Sequence, residues 1–178
     1  MLDEGELHAG FFLNRFLYLF GKKLPKLQPC LKAWSFLLPK DKELYVIGKN
    51  AYGALLVLED PNEDTPQTKV GLLDPTAVEY FTEKDLAFGN LLGWWFPNKK
   101  LPGFFNSKLY DAWAAKSKEP MAVDEILGMN VPVPLGGEWK PDNFTYQNIV
   151  EYYKGTASAI KKAVDGVKDK PTKKKTKK

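Results

Sequence analysis

The chain has 178 residues, 44% of them apolar, 27% charged and 13% aromatic, with a net charge of +4. That composition belongs to a folded chain with a sizeable core, and it excludes collagen-like, intrinsically disordered and disulfide-framed classes. The charge is uneven: the last eighteen residues hold nine lysines and two aspartates, leaving a net −3 on the preceding 160, so the basic balance belongs to the tail.

Residues 11–20, "FFLNRFLYLF", come first. Phe12, Phe16, Leu19 and Phe20 share one face at helical spacing until Gly21 and Pro25 break the pattern, which predicts a helix packed on the core. The run is broken by Asn14 and Arg15 and lacks a small-residue cleavage site, so it reads neither as a signal peptide nor as a membrane span. Residues 43–48, 52–60, 68–74 and 77–81 are rich in β-branched, aliphatic and aromatic residues with turn residues between them, and they predict an antiparallel meander of four strands. The acidic loop 59–67 joins the middle pair. Asp60, Asn62 and Asp64 open with the spacing of a calcium loop, but Thr65 and Gly71 stand where that loop needs glycine and a bidentate glutamate, so a solvated hairpin tip is expected instead.

The second half reads as helical. Thr82 is placed to cap a helix running to about residue 95, and Asn106 another over "SKLYDAWAAKS", with Leu109, Ala112 and Trp113 on its apolar face. Between them, residues 94–105 gather five aromatics, two prolines and the pair Lys99 and Lys100. Residues 131–143, "VPVPLGGEWKPDN", combine proline-stiffened extended geometry over 131–135 with a turn at Gly136-Gly137, where φ > 0 costs little. A final helix is expected from Thr145, with Ile149, Tyr152, Tyr153, Thr156, Ile160 and Val164 as its stripe. The terminal lysine run has nothing to bury, and cutting the chain after Val167 is expected to move the melting temperature by no more than about two degrees. A larger drop in a thermal scan would show that the tail packs on the body.

Catalytic kits are missing. The single cysteine, Cys30, excludes an internal disulfide and a multi-cysteine zinc site, and the single histidine, His8, is a near-terminal solvated side chain rather than a general base. No glycine-rich phosphate loop occurs, so no nucleotide and no other cofactor or metal is expected. The carboxylates Asp124, Glu125, Glu138 and Asp142 read as solvated surface acids.

The ordered segments "AYGALLVLED", "LDP", "FGNLLGWWFP", "LPGFFNSKLYDAW" and "DEILGMNVPVPLGGEWKPDNFTYQNIVEYYKGT" resemble the C-terminal domain of type VI secretion immunity proteins that protect bacteria from DNase effectors, a domain that often follows a GAD-like domain. The likeness spans roughly residues 44–165. It implies a cytoplasmic protein without catalysis that binds a cognate toxin and occludes it, and it makes the 131–143 stretch a scaffold signature that delivers the last helix to the sheet. About forty residues precede it, too few for a GAD-like domain, so no contacts of such a domain are carried over.

The expected architecture is a single α+β domain: a helical N-terminal extension (1–43), an immunity-type domain (44–167) of about four meandering strands packed with N-terminal and C-terminal helices, and a disordered tail (168–178). The partner-binding candidates are the aromatic and lysine segment, with Trp94, Trp95, Lys99, Lys100, Phe104 and Phe105, and the acidic loop, with Asp60, Glu63 and Asp64. The alternative is a nucleic-acid-associated protein using the lysine tail and the aromatic–lysine segment. No membrane partner is expected.

Overall fold

A computed structural model describes residues 10–19, 24–60, 68–91, 93, 107–116 and 120–168. These residues form an α+β structure. Six strands, β1 (Gly10–Phe12), β2 (Leu17–Leu19), β3 (Leu44–Asn50), β4 (Leu55–Glu59), β5 (Lys69–Asp74) and β6 (Glu79–Ala87), pair antiparallel with their chain neighbours in one sheet. A separate hairpin joins β7 (Glu125–Met129) and β8 (Phe144–Asn148). The helices are α1 (Gln28–Ala33), α2 (Phe88–Asn90), α3 (Lys108–Ala114) and the long α4 (Ile149–Lys168).

An antiparallel sheet commonly leaves one face to solvent. This one is covered on both. Leu17, Leu19, Leu56, Val70 and Leu72 meet Tyr52, Tyr110 and Leu127 on one face. Tyr18, Leu55, Val57 and Leu73 meet Cys30, Trp34, Ile149, Tyr153 and Ile160 on the other. Consecutive residues of β4 are therefore buried, which explains the unbroken apolar run "ALLVL". The second face carries α1 and α4, locked together by Trp34, whose Nε1 donates to the Tyr153 carbonyl at 3.0 Å while the two rings stand 4.9 Å apart.

Four strands were expected and six form. Residues 11–19 are not a helix: β1 and β2 make a hairpin that extends the sheet from β3, with Tyr18 opposite Lys49. Its turn carries three successive left-handed residues, Leu13, Asn14 and Arg15 (φ 51°, 53° and 67°), a costly conformation for side chains other than glycine. The hairpin is held from outside. Tyr110 donates its hydroxyl to the Asn14 carbonyl at 2.7 Å, and Arg15 lies 4.7 Å over the Phe11 ring. The N-terminal region is thus strand before it is helix, and it belongs to the same sheet as the central strands.

Thr82 starts no helix either. It sits in β6 opposite Gly71, and the strand runs on to Ala87, opposite Lys69, before α2 begins. Residues 144–148, expected to open the last helix from Thr145, form β8, and α4 starts at Ile149. Asn148 is the residue that caps it, its Oδ1 accepting from the backbone N–H of Val150 at 3.0 Å and of Glu151 at 3.2 Å. The expected stripe of α4 holds: Ile149, Tyr152, Tyr153 and Ile160 are buried. The helix expected after Asn106 is present as α3.

Candidate partner-binding surface

Residues 130–143 join β7 to β8 as a tongue whose backbone is tied down at nearly every step. Residues 131–135 do not run straight; Val133–Leu135 is a turn of 3-10 helix, closed by the N–H of Gly136 on the Val133 carbonyl at 3.0 Å. Gly136 follows at φ +93°, so the sharp turn lies where the glycine pair placed it. Asn143 then clamps the two ends: its Oδ1 accepts from the Val131 N–H at 2.9 Å, and its Nδ2 donates to the carbonyls of Val131 at 2.8 Å and Glu138 at 3.0 Å. The Val133 N–H donates to the Thr76 carbonyl at 3.0 Å, which fixes the tongue to the β5–β6 turn. That turn is itself set by Asp74, whose Oδ1 accepts from the backbone and hydroxyl of Thr76, each at 2.7 Å.

What this backbone presents is apolar. Val131, Val133, Leu135 and Trp139 are each exposed by 41–43%. The stretch joins β7 to β8 with the Trp139 side chain at the surface, not in the core. Pro132 is buried and anchors the segment, while its neighbours face solvent. Trp139 lies on the molecule as a lid, edge-on to Tyr52 and 5.2 Å from both Tyr52 and Phe144. The ring of Tyr52 is held by its hydroxyl, which accepts the Tyr110 N–H at 2.8 Å, and burial pushes that phenol up to about 12.

Beside the tongue, Leu109, Ala112 and Trp113 of α3 face Leu127, Pro141 and Phe144 across an apolar cleft of about 250 Å³, with Lys116 at its edge. The α3 face expected to be apolar is so: Leu109 and Trp113 pack partly on the core and, with Ala112, line the cleft. Trp113 stacks at 5.8 Å on Tyr146, another large exposed side chain. Ring contacts continue inward through Tyr110 and Phe16 to Tyr52, so these surface aromatics rest on rigid support.

Of the residues proposed from sequence, Trp94, Trp95, Lys99, Lys100, Phe104, Phe105, Glu63 and Asp64 lie outside the described residues. Asp60 closes β4 at φ +49°; its carboxylate pairs with the Lys42 amine and accepts the Glu43 N–H at 3.0 Å. Those partners hold its carboxyl below the usual range, Lys42 first, and give it a local structural task. Two of the carboxylates read as solvated surface acids have similar duties. Glu125 accepts from the Ala122 N–H and the Tyr146 hydroxyl, and Glu138 pairs with Lys140.

Sequence reading missed Phe144 and Tyr146, because it placed them outside the strands. It also missed Lys49, read as part of a turn yet buried in β3. The available signal was its position at the end of an apolar run.

Among the described residues no group of three or more histidine, cysteine or acidic side chains is arranged to hold a metal ion, and no helix is long and apolar enough to cross a membrane. The arrangement offers shape and apolar area on a fixed backbone, the properties of a binding surface. No family model matches the chain, and no curated protein matches it significantly.

Proposed function

We propose that the protein is an immunity protein: in the cytoplasm it binds a cognate secreted toxin, a nuclease effector of a type VI secretion system, and neutralises it by stoichiometric occlusion. The observation that carries the binding part is the tongue, where Val131, Val133, Leu135 and Trp139 stand exposed on a backbone clamped by Asn143. Apolar side chains on a preorganised loop lose little further entropy on association, and aromatic anchors in such patches supply most of the energy of tight interfaces. The toxin and its delivery system rest on the resemblance over residues 44–165.

An antidote must leave almost no free toxin, so nanomolar affinity is expected, about −12 kcal/mol. The test is a titration of the protein against the toxin encoded beside its gene. Leu135→Asp and Trp139→Ala, both exposed, are expected to weaken binding at least about tenfold while the variants stay folded, as truncation of an interface anchor does. A Lys99/Lys100 double alanine and an Asp60/Glu63/Asp64 triple alanine report on the two surfaces chosen from sequence. If only those weaken binding, the interface is theirs and not the tongue's. If the wild type ignores the toxin but binds DNA with steep salt dependence, the nucleic-acid reading replaces this one.

A further inference from the structure

Lys49 is the one basic side chain among the fully buried large residues of the described chain, 1% exposed. A bulge puts it there. In β3, Val46 pairs with Val57, but the register then shifts so that Gly48 pairs with Leu56 and Lys49 with Leu55. The extra residue turns Lys49 onto the face occupied by its cross-strand neighbours Tyr18 and Leu55, both in the interior that α1 and α4 cover. Among the described residues no carboxylate forms an ion pair with it. Its Nζ donates instead to the backbone carbonyl of Glu125 at 2.5 Å, the first residue of β7.

That bond is one of a small set by which the hairpin is fastened to the rest of the molecule. The Leu127 N–H donates to the Ala51 carbonyl at 2.8 Å, just past Lys49 in the chain, and the Tyr152 hydroxyl of α4 donates to the Met129 carbonyl at 3.0 Å. We propose that Lys49 is a proton-operated latch, holding the β7–β8 hairpin and the tongue it carries against the sheet when its amine is neutral, and loosening that hold when it is protonated.

The sign follows from burial. A solvated lysine titrates near 10.4. Desolvation lowers the Lys49 amine to about 7, against the opposing but smaller pull of Asp124 and Glu125. Those two acids face it from the start of β7; Tyr18 faces it from β2, and Cys30, Tyr152 and Tyr153 share its interior from α1 and α4. Its Nζ ends on the hairpin's own Glu125 carbonyl, so opening the hairpin uncovers the amine there, and the open form binds one more proton between the two values. Docking is therefore firmest on the alkaline side, weakens as pH falls toward 7, and changes little below it. Burial pushes the Cys30 thiol up to about 12, which acts with the opposite sign once an exposed thiol ionises near 8.5, so the informative window lies below that.

The experiment is amide hydrogen exchange on the full chain from pH 6 to 8.5, corrected for intrinsic rates and read at Leu127, whose N–H bonds to Ala51 across the docking seam. The opening constant is expected to rise about fifteenfold from pH 8.5 to 7 and by only about twofold more to pH 6. In Lys49→Met the pH dependence is expected to vanish, whatever its baseline. A flat wild-type profile, or the same slope in Lys49→Met, overturns the latch. Should that variant not fold, the wild type still decides: a Lys49 ε-carbon titration followed by NMR is expected to have its midpoint near neutrality, and a midpoint above 10 overturns the proposal. None of these readouts uses the toxin, so the latch and the immunity reading fail separately.

Discussion

Replacing Trp34 by alanine is expected to lower the unfolding free energy by about 3–5 kcal/mol, as deletion of a fully enclosed aromatic does. Trp34 has no exposed surface. It fills the seam between α1 and α4, 4.9 Å from the Tyr153 ring, and its Nε1 satisfies the Tyr153 carbonyl. Truncation therefore leaves both a cavity and an interior carbonyl short of a donor. Against a total stability of about 5–15 kcal/mol for a domain, that removes much of the margin. Tyr153→Phe is the finer probe. Its hydroxyl reaches the carbonyls of Gly53 at 3.0 Å and Leu73 at 3.3 Å, tying α4 to the β3–β4 turn and to β5. Losing it with the ring kept is expected to cost about 1–3 kcal/mol. Urea denaturation measures both; a Trp34→Ala cost under about 1 kcal/mol would mean that the helices do not share the sheet's core.

The two glycines of the tongue are expected to respond in the order opposite to their backbone angles. Gly136 has φ +93°, but a Cβ there meets nothing within 4 Å, so Gly136→Ala should cost only the left-handed strain, about 1–2 kcal/mol. At Gly137 no positive φ is involved. A Cβ would stand 1.6 Å from the Val131 carbonyl oxygen, which is backbone and cannot swing aside. Gly137→Ala must pry the loop open, and the Asn143 bonds to Val131 and Glu138 go with it. At about 1 kcal/mol for each hydrogen bond lost, the cost should exceed about 3 kcal/mol, with partner binding lost as well. Denaturation midpoints of the two alanine variants decide the order. Equal costs would show that the loop does not close on Gly137 as described.

The candidate surface was half legible. The unusual composition of 131–143 singled out the segment as a scaffold rather than as a surface, and its glycine turn forms where two glycines allow it. Whether Val133 and Leu135 face water or core is not a local property: alternating prolines stiffen a chain equally in either setting. The Asn143 clamp joins residues twelve apart, and nothing in the spacing of "VPVPLGGEWKPDN" announces it. Lys49 was harder still, since a one-residue bulge decides which face a strand residue occupies.

By itself the sequence determined the α+β class, the strands between residues 43 and 81 in outline, and the buried stripe of the last helix. These follow from composition and from periodicity within one element. The tertiary structure alone decided that residues 10–12 and 17–19 form a hairpin, that the start of the predicted Thr82 helix is strand, and that 144–148 pairs with 125–129. The reason is the sheet with two covered faces. Where both sides of a strand are buried, the period-two pattern disappears, and apolar residues at positions such as 12, 16 and 19 fit a helix as well as a hairpin. Only the hydrogen-bonding edge of β3, far away in the chain, favours the hairpin, and a bond between distant strands leaves no mark in either segment read alone.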